Sequence, residues 1–182
     1  MTVHARRAGV ADAAVVADLL STGSRPVSVT EEQVAGTIQA GSHTFILSHG
    51  STVVGIAELR AVHTEPERSD AAGVVWMVQN RPLGVGVAAL CFIVRYAFET
   101  LQLREVWGWV RQDNAPMLRL CRHLGIRDHG TWAGNPECRL MTLDRAGLQA
   151  KRDVLSRLGS RIRVILAGPD SAATPAPTAT RR

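Results

Sequence analysis

The clearest chemistry in this sequence lies where an apolar run, a glycine loop and a second apolar run follow one another. Gly73-Val74-Val75-Trp76-Met77-Val78 suits a strand covered on both faces. Arg81-Pro82-Leu83-Gly84-Val85-Gly86 comes next, and the stretch from Val87 to Leu101 is long and apolar enough for a buried helix. Glycine lets backbone approach a ligand closely, and a helix start offers free N–H groups with partial positive charge, so Gly84 and Gly86 fit the task of holding phosphate. The loop lacks the GK[ST] ending of a nucleoside-triphosphate loop and the third glycine of the dinucleotide fingerprint, which disfavours both ligands. Without a ligand, the same glycines make a tight turn. Trp107 and Trp109 alternate on one face of a strand, with Trp132 on a nearby one. Such residues ordinarily pack a core, but facing a cleft they would wall it against a sugar ring or an apolar side chain. His63, His123 and His129 show no metal-ligand spacing, and Cys91, Cys121 and Cys138 form no CxxC pair. Reduced thiols are expected, with neither a disulfide framework nor structural zinc.

These residues need a scaffold, and the local patterns supply one. Thr2 to Arg6 alternates as a strand and is followed by an alanine-rich helix of about ten residues headed by Asp12. Thr30-Glu31-Glu32-Gln33 has the spacing of a capping box and predicts a helix over 31–40. The β-prone runs 44–48 and 52–59, joined by His49-Gly50-Ser51, predict a hairpin. Strand character resumes from Leu103 to Val110, Asn114-Ala115-Pro116 caps and starts another helix, and Gly125 ends it. Runs at 130–132 and 138–143 about Gly134-Asn135-Pro136 predict a terminal hairpin. From Lys151 to Ala167, Val154, Leu155, Leu158, Ile162 and Ile165 give an amphipathic helix, which would pack on the domain, contact a second copy or meet an anionic surface. The stretch 168–182 is Ala, Thr and Pro without a large apolar residue and is expected to be disordered.

Composition bounds the function classes. The 182 residues, 46% hydrophobic and 20% charged, supply the core of one domain. A net charge of +5 and a pI near 10.0 suggest an anionic partner. Yet the arginines are scattered and Lys151 is the sole lysine, so nucleic acid is not expected. No 18-residue apolar window and no apolar leader are present, so no membrane span is expected and a cytoplasmic location is.

The loop and its surroundings resemble the GNAT superfamily of acyl-CoA-dependent N-acyltransferases. The family's phosphate loop, Gln/Arg-x-x-Gly-x-Gly/Ala, is met by 81–86. Tyr96-Ala97-Phe98-Glu99-Thr100-Leu101, then Asn114, then Leu124-Gly125-Ile126 are similar to its "AFE-x-L … N … LGF" pattern. Ala5 to Asp12 resembles its first strand and helix, and Leu140 to Arg145 its last strand. Coverage is about residues 3–148, and the most similar branch acts on protein N-terminal amines and amino sugars. The resemblance implies an α/β (α+β) fold with a mixed, mostly antiparallel twisted sheet of about six or seven strands. Helices would flank both faces, and the fourth and fifth strands would splay apart. It divides the chain into an acyltransferase domain at 1–148, an added helix at 149–167 and the tail.

The co-substrate so implied is acetyl-CoA or another acyl-CoA, with no metal, and the other substrate is an amine, either a peptide N-terminus or a small amine or amino sugar. Its pyrophosphate would lie on Arg81 and on Leu83, Gly84, Val85, Gly86 and Val87, with Asn114 also at the cofactor site. A backbone N–H at Met77 or Val78 would polarise the thioester carbonyl. The sequence departs from the family at the base and the acid. Trp109 stands where some members carry a glutamate. Asp70 occupies the alternative carboxylate position and is the first candidate base, Glu58 the second, with Glu65 or Glu67 acting through water. Cys121 holds the place of the usual tyrosine acid, either as a thiol matched to the departing thiolate or as a small buried hydrophobe. These departures keep a second function open, that of a CoA-binding sensor or scaffold without catalysis. A homodimer is also left open.

Overall fold

A computed structural model describes residues 1–22, 28–62, 70–77 and 83–167. Strand β1 (Thr2–Arg7) leads through a short 3-10 turn, Val10–Asp12, into α1 (Ala13–Thr22). Helix α2 (Glu31–Gln39) starts at the expected capping box, in which Gln33 N–H donates to the Thr30 hydroxyl and Thr30 N–H to the Gln33 amide oxygen. The hairpin β2 (His43–His49) and β3 (Thr52–Arg60) is followed by β4 (Asp70–Met77) and α3 (Val85–Arg95), which continues as a π-helical turn over Tyr96–Thr100. Then come β5 (Glu105–Arg111), α4 (Ala115–His123), β6 (Arg127–Trp132) and β7 (Asn135–Asp144). Two further helices, α5 (Arg145–Ala150) and α6 (Arg152–Arg161), precede β8 (Arg163–Leu166).

The strands form one mixed sheet in the order β6-β7-β5-β4-β3-β2-β1-β8, in which β4/β5 and β1/β8 are the parallel pairs. On one face Ala88, Ala89, Ile93 and Val94 of α3 bury against Val3, Phe45, Leu47, Leu59, Val106 and Leu143. On the other, Val16 and Leu20 of α1 and Val34 of α2 close over Ile46 and Ile56. This is the expected fold with a correction at its far edge. The sheet has eight strands, because the helix expected over 149–167 stops at Arg161 and Arg163–Leu166 pairs with β1 instead. The unpaired edge of β1 offers 163–166 backbone partners that a solvent-facing helix would not, and Ala167 N–H continues the pairing onto Ala5 O at 2.8 Å. The expected tail, 168–182, lies outside the described residues.

Candidate active site

Strands β4 and β5 pair only through Asp70↔Glu105, Ala71↔Val106 and Ala72↔Trp107. Just past these pairs the two backbones nearly touch, since a Cβ on Gly108 would stand 2.9 Å from the Gly73 carbonyl oxygen. Beyond that point the strands fork around a cleft of about 560 Å³. Its lining includes Gly73, Val74 and Val75 from β4 and every residue from Val106 to Arg111 of β5. Successive strand residues point to opposite faces. The cleft therefore passes through the sheet, from the face covered by α3 and α4 to the face that carries Trp107 and Trp109. Among the described residues, β4 beyond Ala72 and β5 beyond Trp107 pair only outward, with β3 and β7, which leaves their facing sides to an extended chain laid between them.

At the helical side of the cleft stands the start of α3. Gly84 caps it in the left-handed region at φ 87°, and Ala88 N–H is the first to bond back, to Gly84 O at 2.9 Å. The amides of Val85, Gly86 and Val87 thus have no acceptor within the helix. Gly86 lines the cleft, the Val85 side chain is buried in the core, and Leu83 is 97% exposed. A Cβ on Gly84 would also meet Ile162 Cδ1 at 2.9 Å, so the end of that side chain would have to shift. Arg81 and Val78 lie outside the described residues, as do Pro82, His63, Glu65 and Glu67. Asn114 caps α4, its Oδ1 accepting Met117 N–H at 3.3 Å, and it lines the cleft together with Met117 and Cys121.

The expected acid–base groups are not brought together as a set. Asp70 and Met77 sit at opposite ends of β4, about 23 Å apart along an extended strand. Only about 10 Å of strand separates Asp70 from Gly73, where the fork opens. Glu58 is 3% exposed and already paired, its Oε1 accepting from the Thr44 hydroxyl and its Oε2 from Arg60 Nε, both at 2.8 Å. Both of its oxygens thus belong to a buried network. The Cys121 thiol is 4% exposed, and burial, with the nearby charge of Asp128, pushes it up to about 11. The expected match to a departing thiolate is lost, and proton donation from Cys121 to it runs uphill. Tyr96, the only tyrosine, is bound through its hydroxyl to His43 Nδ1 at 3.0 Å.

Sequence patterning does not decide the tryptophan arrangement, and the fold does. The rings of Trp109 and Trp132 stack at 4.8 Å with 8° between planes, and Trp107 lies 6.0 Å from Trp109. Trp107 and Trp109 both line the cleft.

Similarity to known proteins agrees with this geometry. The family model for the acetyltransferase (GNAT) domain matches residues 6–127. Among solved structures, the chain is similar to mutant forms of the spermidine/spermine N-acetyltransferase SpeG from Vibrio cholerae (TM-score 0.65, 14% identity, 82% of this chain and 98% of that one). It is also similar to FdhC, a nucleotide-linked sugar GNAT (TM-score 0.66, 14% identity, 86% and 94%). A putative acetyltransferase from T. thermophilus has a TM-score of 0.56 at 18% identity, covering 85% and 90%. No curated protein sequence matches the chain. The chain belongs to the GNAT acetyltransferase family. Among the described residues, no helix is long and apolar enough to cross a membrane, and no group of three or more His, Cys, Asp or Glu is placed to hold a metal ion.

Proposed function

We propose that the protein transfers an acyl group, acetyl in the simplest case, from acyl-CoA to a primary amine, with both substrates held in the forked cleft at once. The through-sheet cleft carries this reading. It joins a mouth with three helix amides that have no acceptor within the helix to a second face with an aromatic wall, so two ligands entering from opposite sides would meet where β4 and β5 part.

The residues present fit a long ligand with an anionic end. Val85, Gly86 and Val87 would hold the pyrophosphate through their N–H groups and the positive end of α3, with Leu83 just before the cap. The side of Gly73 to Met77 turned away from β3, and the side of the facing stretch of β5 turned away from β7, would take the amide groups of the pantetheine arm as an added strand. Asn114, at the start of α4, borders the same cleft. When bound, acyl-CoA supplies an activated thioester. The chain supplies position, a backbone donor for the carbonyl and a route for the amine proton. With Asp70 as base, through a bridging water, the carbonyl belongs near Gly73 and not near Met77. Glu58 then acts on position, by fixing β2 against β3 through Thr44.

The second reading is a CoA-binding sensor or scaffold. It is favoured by the raised Cys121 thiol and by the engagement of Tyr96 with His43. Thiol release from acetyl-CoA, measured with a panel of peptide N-termini, polyamines and amino sugars, separates the two. Turnover with one class is expected, reduced at least tenfold by Asp70→Asn with acetyl-CoA affinity kept. Measurable CoA binding without turnover on any amine would establish the sensor instead. Equal rates for wild type and Asp70→Asn would remove Asp70 as base.

A further inference from the structure

We infer that Ile162 is a positioning residue for the co-substrate: the C-terminal stretch from α6 to β8 holds the start of α3 in the form that receives the pyrophosphate, through a contact on Gly84. This role rests on the acyl-CoA reading of that helix start, and Ile162 lies beyond the 6–127 match to the family model.

The start of α3 needs a support from outside the helix. Helices α2, α4 and α5 are each capped by a side chain, that of Thr30, Asn114 or Asp144, which accepts a backbone N–H of the first turn. Gly84 has no side chain to do this, and its left-handed φ of 87° is one that glycine adopts at little cost. Glycine has equally easy access to other conformations, so the turn that aims the amides of Val85, Gly86 and Val87 must be selected by packing. Val85 fixes it from the core, where its side chain is buried. On the side where a Cβ would project, the atoms within 4 Å among the described residues both belong to Ile162, Cδ1 at 2.9 Å and Cγ1 at 3.9 Å.

Ile162 is itself held from two directions. It ends α6 with extended backbone, φ −135° and ψ 114°, where the helix passes into β8. Behind it, Leu155 of α6 is buried in one cluster with Cys91 of α3. Ahead of it, Arg163 N–H donates to Met1 O at 3.1 Å and begins the pairing that runs to Ala5↔Leu166. The grip of β8 is light, because the strand is four residues long and Ile165 and Leu166 are 39% and 49% exposed. An element with so little apolar burial opens more easily than the core. When it opens, Ile162 leaves Gly84 and the three amides lose their common aim. Coupling of this kind is reciprocal, so a ligand on the amides in turn holds β8 on β1.

Acetyl-CoA is the probe, on the full chain. By calorimetry Ile162→Ala is expected to weaken acetyl-CoA roughly tenfold or more, and Ile162→Leu, which keeps a terminal methyl to reach Gly84, to recover most of the affinity. In turnover the alanine variant should raise KM for acetyl-CoA with kcat and the KM for the amine little changed, whereas a merely structural loss lowers the active fraction and with it kcat. The wild-type chain gives a second readout that needs no variant. Exchange of the Arg163 and Ala167 amide hydrogens with solvent should slow roughly fivefold or more at saturating acetyl-CoA. Unchanged acetyl-CoA affinity in folded Ile162→Ala, or exchange at 163 and 167 indifferent to acetyl-CoA, overturns the inference. Failure of the acyl-CoA reading looks different: acetyl-CoA binding would then survive Gly86→Glu as well. The binding and exchange readouts apply to an enzyme and to a sensor alike.

Discussion

Gly86 carries the sharpest demand at the level of single residues, because it stands on the first turn of α3 and lines the cleft. Gly86→Glu would put bulk and negative charge among the amides assigned to the pyrophosphate, and loss of detectable acetyl-CoA binding by calorimetry is the expected outcome. Binding that survived would remove the loop from the cofactor site. The glycine loop and the Asn114 cap were legible in the sequence because the constraints on them are local, a backbone conformation or an orphan amide within three residues. Glu58 was not. Its role is decided by the β2/β3 register that sets Thr44 opposite it, and no neighbour in sequence reveals that a strand carboxylate will be fully paired. The same holds for Cys121, whose acidity is set by the packing of α4 over the sheet.

Elements are joined by a few contacts whose strength can be measured. Arg6 on β1 grips Asp12 with two bonds, at 2.8 and 2.7 Å, and Asp12 also accepts Gly9 N–H at 2.9 Å, so one carboxylate ties the first strand to the start of α1. The Arg6 guanidinium, aided by Gly9 N–H, holds Asp12 below the usual carboxylate range. A lowered carboxylate contributes fully above its unfolded value of about 4 and loses that contribution as pH falls through the lowered folded value. Asp12→Asn should therefore cost about 1 kcal/mol in urea unfolding at pH 7, with the difference closing as the medium is acidified below pH ~4. At the other end, Ile162 fills the space over Gly84 and joins the main core. Ile162→Ala should cost about 2 kcal/mol by the same measurement. The hairpins and capped helices follow from alternation and turn residues, but β8 does not. Residues 163–166 fit an amphipathic helix on a wheel, and only the open edge of β1, far away in sequence, makes them a strand.

For the whole molecule, the fold was readable in the order of its parts, since seven strands and the helices between them follow from local pattern. The resemblance then supplied what pattern could not, the splay of the fourth and fifth strands that opens the cleft. At 14–18% identity to the solved structures named above, the architecture has outlasted most of the residues that build it.

The pairing of β8 with β1 also sets an order of events during folding. Thr2 and Arg163 meet across about 160 residues of chain, so the outer partner of the first strand is made long after that strand itself. Contacts of such separation are slow to form. Until they do, β1 is an open edge, ready to accept any extended segment that reaches it. A chain emerging from the ribosome would carry that edge through most of its synthesis, and the yield of soluble protein should depend on how quickly residues 163–166 arrive to cover it.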